Sequence, residues 1–176
     1  QHNEALVDIR EIINDPRLIW DLQEICIIDP YLSSKDILDT VVFCEKRDIH
    51  IHCLTDLHTI VKNKEASGEI LEIEASESSK FESAKIKFRQ LLEAALPTDC
   101  DIDLSFRTVY SDYGSRFHDR YLILKYKINK TRVWSLGTSV NSIGKSHHII
   151  QIVEAPTLIE SFFDKVWHET DFQVCK

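Results

Sequence analysis

The stretch RFHDRYLILKY, residues 116–126, sets His118, Asp119 and Arg120 side by side at the mouth of an apolar run, and GTSVN follows at residues 137–141. A packed core has no use for such a trio, whereas a phosphate site does. An imidazole attacks phosphorus or carries a proton. A guanidinium clamps two phosphate oxygens at once. A hydroxyl and an amide, here Ser139 and Asn141, donate to the negative charge that grows on a phosphoryl group. If 121–127 and 132–136 pair as a hairpin, His118, Arg120, Ser139 and Asn141 come to neighbouring strand ends, where α/β sheets place ligands.

Other reactive residues have plainer readings. His50 and His52 share one strand face at a spacing that suits a metal, but with no third ligand near them they read as surface or cap histidines. His147 and His148 offer a further imidazole, one pointing outward and one beside Trp134. Asp29 either closes a crevice at a strand end or makes an Asx turn with Pro30, the commoner use of that pair. Five scattered cysteines and no C-x-x-C pair support neither a zinc knuckle nor a redox motif. Cys26 and Cys53 fall inside apolar runs, where a free thiol behaves as a small hydrophobe. A reduced, cytoplasmic setting is expected.

The elements that must hold these residues follow from periodicity. Leu6, Ile9, Ile12 and Ile13 have helical spacing within 4–19. EICIIDPYL (24–32) reads as a buried strand ended at Asp29-Pro30. Residues 34–47 suit a helix capped by Ser34, and DIHIHCLTD (48–56) a second strand, so a right-handed parallel βαβ unit is expected. Residues 62–80 are polar and acidic, and KFESAKIKFRQLLEAAL (80–96) is helical. Four strand candidates follow: DIDLSFRTVY, YLILKYK, RVWSLG and HHIIQIVE. A last helix opens at Pro156 and runs to about Trp167. The sum is α/β, a mixed β-sheet flanked by helices on both faces.

The chain of 176 residues suits one domain, 1–176, with a substantial core. A net charge of −8 argues against the whole surface gripping nucleic acid, since such binding rests on cations that displace counterions. It leaves room for a local basic patch, and Arg107, Arg116, Arg120, Lys125, Lys127, Lys130 and Arg132 gather around the HDR trio. No run approaches the ~18 apolar residues of a membrane span. The chain contains no methionine, which reads as a domain excised from a longer protein.

HDRYLILKYKINKTRVWSLGTSVN resembles the second half of a phospholipase D superfamily motif, H-x-K, then an acidic or amide residue, then G-S-x-N on the following strand. The IIDPYL turn is also common in that fold. The resemblance implies that His118 is the nucleophile, that Ser139 and Asn141 bind phosphate, and that Gly137 is the glycine before them, with Thr138 beside it. Arg120 stands where the family has lysine. Lys125 falls on the acidic position, and Glu154 becomes the candidate for orienting His118. A similar HDR occurs in the phospholipase D-like domain that closes certain microtubule-interacting-and-trafficking proteins, where it implies membrane or partner binding.

The expectation that follows is a phosphodiesterase, foremost a metal-independent nuclease needing no cofactor. Its substrate would be a nucleic acid or a phospholipid headgroup. The family's full enzymes carry two motifs and this chain one, so a homodimer is expected to bring two copies of His118 together. The alternatives are an inert module of the same fold, which binds a headgroup, a nucleic-acid backbone or a protein partner, and a purely structural dimerisation domain within a parent protein. A bacterial defence setting is an expectation of the resemblance alone.

Overall fold

The run LQEICII forms strand β1 (Leu22–Ile28). The computed structural model describes residues 2–56, 103–109, 117–144, 149–169 and 173–175, together with helical positions between 82 and 94. Among these residues β1 is the central strand of a seven-stranded mixed sheet. Strand β2 (His50–Asp56) pairs parallel with β1, and β3 (Asp103–Val109) parallel with β2. On the other side β4 (Tyr121–Tyr126), β5 (Arg132–Ser135) and β6 (Gln151–Ile152) are antiparallel in succession. A strand that the sequence did not announce, β7 (Gln173–Cys175), pairs antiparallel with β3.

Strand alternation sends side chains to two cores. Ile25 and Ile27 of β1, with Leu122 and Leu124 of β4, pack under helix α1 (His2–Ile13) and helix α2 (Ser34–Asp39), against Leu6, Ile9, Ile13 and Ile37. Cys26, Ile28, Ile123 and Val133 face the other way, onto Phe163, Val166 and Trp167 of helix α3 (Pro156–Glu169). Each large apolar side chain buried this way contributes about 1.5–3 kcal/mol. Helices therefore cover both faces, as the α/β reading required.

Several boundaries differ, each for a local reason. The first helix stops at Ile13 rather than near residue 19, because Asp15 precedes Pro16 and the helical region is disfavoured there. The second helix ends at Asp39, where Thr40 Oγ1 donates to Asp36 O at 2.5 Å and a 3-10 turn, Val41–Phe43, follows. Its cap is Ser33, not Ser34. Ser33 Oγ accepts from Asp36 N while Asp36 Oδ2 accepts from Ser33 N, a capping box. The expected helix over 80–96 is helical at its described positions, and all of 62–80 lies outside the described residues, as do His147 and His148.

Candidate functional site

Strand β1 ends at Ile28, and Asp29 N makes the last sheet bond, to Leu54 O at 3.0 Å. The chain then turns. Tyr31 N donates to Asp29 Oδ1 at 2.8 Å, the Asx turn expected with Pro30, and Leu32 N donates to Asp29 O. The same carboxylate also reaches across the sheet end. Ser139 Oγ lies 2.9 and 2.7 Å from its two oxygens, and Val140 N donates to Oδ2 at 2.7 Å. Asp29 thus makes the expected Asx turn and also ties the two sheet-end loops together, with its oxygens turned inward rather than toward a ligand. It is fully buried, and burial, the largest influence, holds its carboxyl above the usual carboxylate range. The hydrogen bonds from Ser139, Tyr31 and Val140 and the charge of Arg120 pull the other way without cancelling it.

Strand β5 delivers the GTSVN segment to this point. Gly137 has φ +64°, and Thr138 N donates to Leu136 O at 2.6 Å, a γ-turn that reverses the chain. A Cβ on Gly137 would lie 2.8 Å from Ile149 O, so the position takes only glycine without strain. Ser139 then opens a 3-10 turn, Val140–Ser142. Within it Asn141 Nδ2 donates to Tyr31 O at 3.2 Å, and Asn141 Oδ1 accepts from Ser142 Oγ at 2.7 Å. The amide is therefore fixed in orientation, with a second hydrogen left for a ligand.

Arg120 arrives from the lead-in to β4. Leu136 N donates to its carbonyl at 3.0 Å, so the β4–β5 ladder continues past Tyr121. Its guanidinium carbon sits 5.4 Å from the centroid of the Tyr31 ring, a cation–π contact. Its Nε is buried, and among the described residues it has no hydrogen-bond partner. A buried guanidinium N–H left unsatisfied is costly, and an anion would satisfy it. His118 lies two residues earlier and is exposed, and among the described residues nothing hydrogen-bonds its imidazole.

Arg120, Ser139 and Asn141 are thus gathered on Asp29 and Tyr31, with Gly137 and Thr138 shaping the turn and His118 on the approach. Ser139 differs from expectation. The residue is only 4% exposed, and its hydroxyl donates to Asp29 and so latches the turn instead of facing a ligand.

Two further residues are corrected. Lys125 does not join the group at the sheet end. An odd position of β4, it shares the α3 side with Ile123, and it lies about 17 Å along the strand from Arg120 at ~3.3 Å per residue. There it bridges Glu24 and Asp164, each at 3.1 Å. Glu154 does not orient His118. Gln151 stands opposite Ser135 near the site, and the chain then runs away past Val153, whose N–H donates to Val133 O at 2.8 Å, to an exposed Glu154.

One grouping was missed. His52 was read as lacking a third ligand, yet Glu24 Oε1 lies 3.0 Å from its Nδ1 and 2.9 Å from Cys26 Sγ. The period-two spacing of Glu24 and Cys26 was visible, but their neighbourhood with His52 depends on strand register. A scan against protein-family models gives no match for the chain, and a search of curated proteins gives none.

Proposed function

We propose that this chain is a phospholipase D-like phosphodiesterase, a metal-independent nuclease acting as a homodimer. The observation that carries the reading is Arg120, whose buried Nε has no partner among the described residues, brought to the same sheet end as the fixed amide of Asn141. Arg120 clamps the non-bridging oxygens of a phosphodiester, and the free N–H of Asn141 stabilises the charge that develops there. The imidazole of His118 attacks phosphorus, a P–N bond forms, and the P–O bond to the leaving alcohol breaks. The partner subunit's His118 gives its proton to the leaving oxygen, and water then hydrolyses the phosphohistidine.

The test is cleavage of fluorescent single- and double-stranded DNA and RNA with a chelator present. Wild type is expected to cleave at least one of them, and His118→Ala to lose cleavage while it keeps binding. Arg120→Ala weakens both steps, since a charge-assisted contact worth roughly 1.5–3 kcal/mol is removed from ground and transition states alike. Arg120→Lys, which restores the family's residue, is expected to raise the rate.

A second reading, an inert binding module for a headgroup, a nucleic-acid backbone or a protein partner, is favoured by two observations. The residue at the family's acidic position, Lys125, is turned to the other face, and the Ser139 hydroxyl is held by Asp29. Binding that survives with no cleavage in either wild type or Arg120→Lys selects this reading.

A further inference from the structure

On the α3 face of the sheet, far from Arg120, parallel strands β1 and β2 set Cys26 directly opposite His52. Glu24 is two residues back on the same face of β1. Its Oε1 lies 2.9 Å from Cys26 Sγ and 3.0 Å from His52 Nδ1, and the donor atoms of the three residues all fall within 4.8 Å of one another. We propose that Glu24, Cys26 and His52 form a zinc-binding site.

The donor set is the first argument. Thiolate, imidazole and carboxylate are the three ligand types of Zn²⁺, and its bond lengths of about 2.0–2.3 Å place tetrahedral donors roughly 3.3–3.8 Å apart. Small side-chain rotations open the hydrogen-bonded trio to that spacing. The scaffold is the second. Cross-strand neighbours on a central pair of strands have little backbone freedom. The His52 ring is further held against Trp167, with centroids 4.5 Å apart. Access is the third, because the Glu24 and His52 side chains keep 21% and 23% of their exposure.

A cation already lies in the cluster. Lys125 Nζ is 3.1 Å from Glu24 Oε1 and equally 3.1 Å from Asp164 Oδ1. The lysine therefore has a second carboxylate to hold when a metal takes Glu24. Binding releases the thiol proton of Cys26, so Zn²⁺ meets one carboxylate and one thiolate, while Lys125 and Asp164 remain paired. The filled cluster is then neutral, whereas Glu24, Lys125 and Asp164 alone leave one net negative charge. Lys125 acts as a competitor that sets the metal affinity, not as a ligand.

The test uses the full chain with Co²⁺ as a spectroscopic probe and then Zn²⁺ in competition. One equivalent of Co²⁺ is expected to give the near-ultraviolet thiolate-to-cobalt charge-transfer band, and Zn²⁺ to abolish it. Cys26→Ala removes the band. His52→Gln, a substitution at a partly exposed ring, lowers Zn²⁺ affinity by at least about 100-fold, more than the loss of an outer partner costs. Lys125→Met, which removes the competitor, tightens Zn²⁺ by about 10-fold, the scale of one displaced ion-pair contact. Three results overturn the proposal. They are no band in the wild type, a band that persists in Cys26→Ala, and Zn²⁺ bound no more tightly by Lys125→Met than by wild type. Circular dichroism confirms that each variant is folded.

Discussion

Asp29 shows how one side chain converts a strand end into a site. Its two oxygens accept from Tyr31, Ser139 and Val140, so the loop after β1 and the turn after β5 share a single anchor. Asp29→Asn keeps one accepting oxygen but turns an NH₂ toward a donor, and is expected to destabilise the fold by about 1–3 kcal/mol in chemical denaturation. The pH behaviour carries a definite sign. The native pKa lies above the ordinary 3.8, so the folded state holds this proton more tightly than the unfolded chain does. The stability contributed by the group is full below 3.8 and is lost as pH rises through the native value. Carboxyl-carbon NMR titration is expected to find Asp29 above 3.8. A midpoint below that would mean that the hydrogen bonds and Arg120 outweigh burial.

Among the elements, the γ-turn at Gly137 fixes where GTSVN goes. The left-handed φ and the 2.8 Å approach of Ile149 O to a Cβ both select glycine. Gly137→Ala is expected to cost about 1–3 kcal/mol through that backbone strain alone. It should also weaken phosphodiester binding, because Ser139, Val140 and Asn141 lose their register on Asp29 and Tyr31. Loss of stability with unchanged binding would place the turn outside the site. The capping box of α2 does comparable work on the opposite loop: Ser33 and Asp36 set the helix start, and the chain between Asp29 and Ser33 has little slack. Tyr31 and Arg120 meet across that short loop.

For the whole molecule, the proposed chemistry needs a second histidine, which a homodimer would supply. Light scattering at micromolar concentration is expected to report about 41 kDa, twice the 20.5 kDa of the chain, a two-fold pairing being the commonest closed form. A clean monomer that still binds phosphodiester would favour the inert module. The short strand β6 ends one edge of the sheet, with Ile149 and Ile152 exposed on or beside it, apolar area that a subunit contact would cover. Among the described residues no helix is long and apolar enough to cross a membrane.

Periodicity alone determined the α/β class, the parallel β1–α2–β2 unit and the β4–β5 hairpin, because each depends on the burial pattern of a contiguous run. It also placed His118, Arg120 and Asn141 at one sheet end, since strand ends follow from strand limits. Only the tertiary structure decided the rest. Lys125 and Glu154 lie near the motif in sequence, but strand parity and antiparallel direction carry them away from it. Ser139 reads from sequence as a hydroxyl open to a ligand, but a buried Asp29, 110 positions away, accepts its hydrogen bond. Glu24, Cys26 and His52 become neighbours through the parallel register of β1 and β2. Register is set by which residues across the sheet must be buried together, and no local run of the chain contains that information.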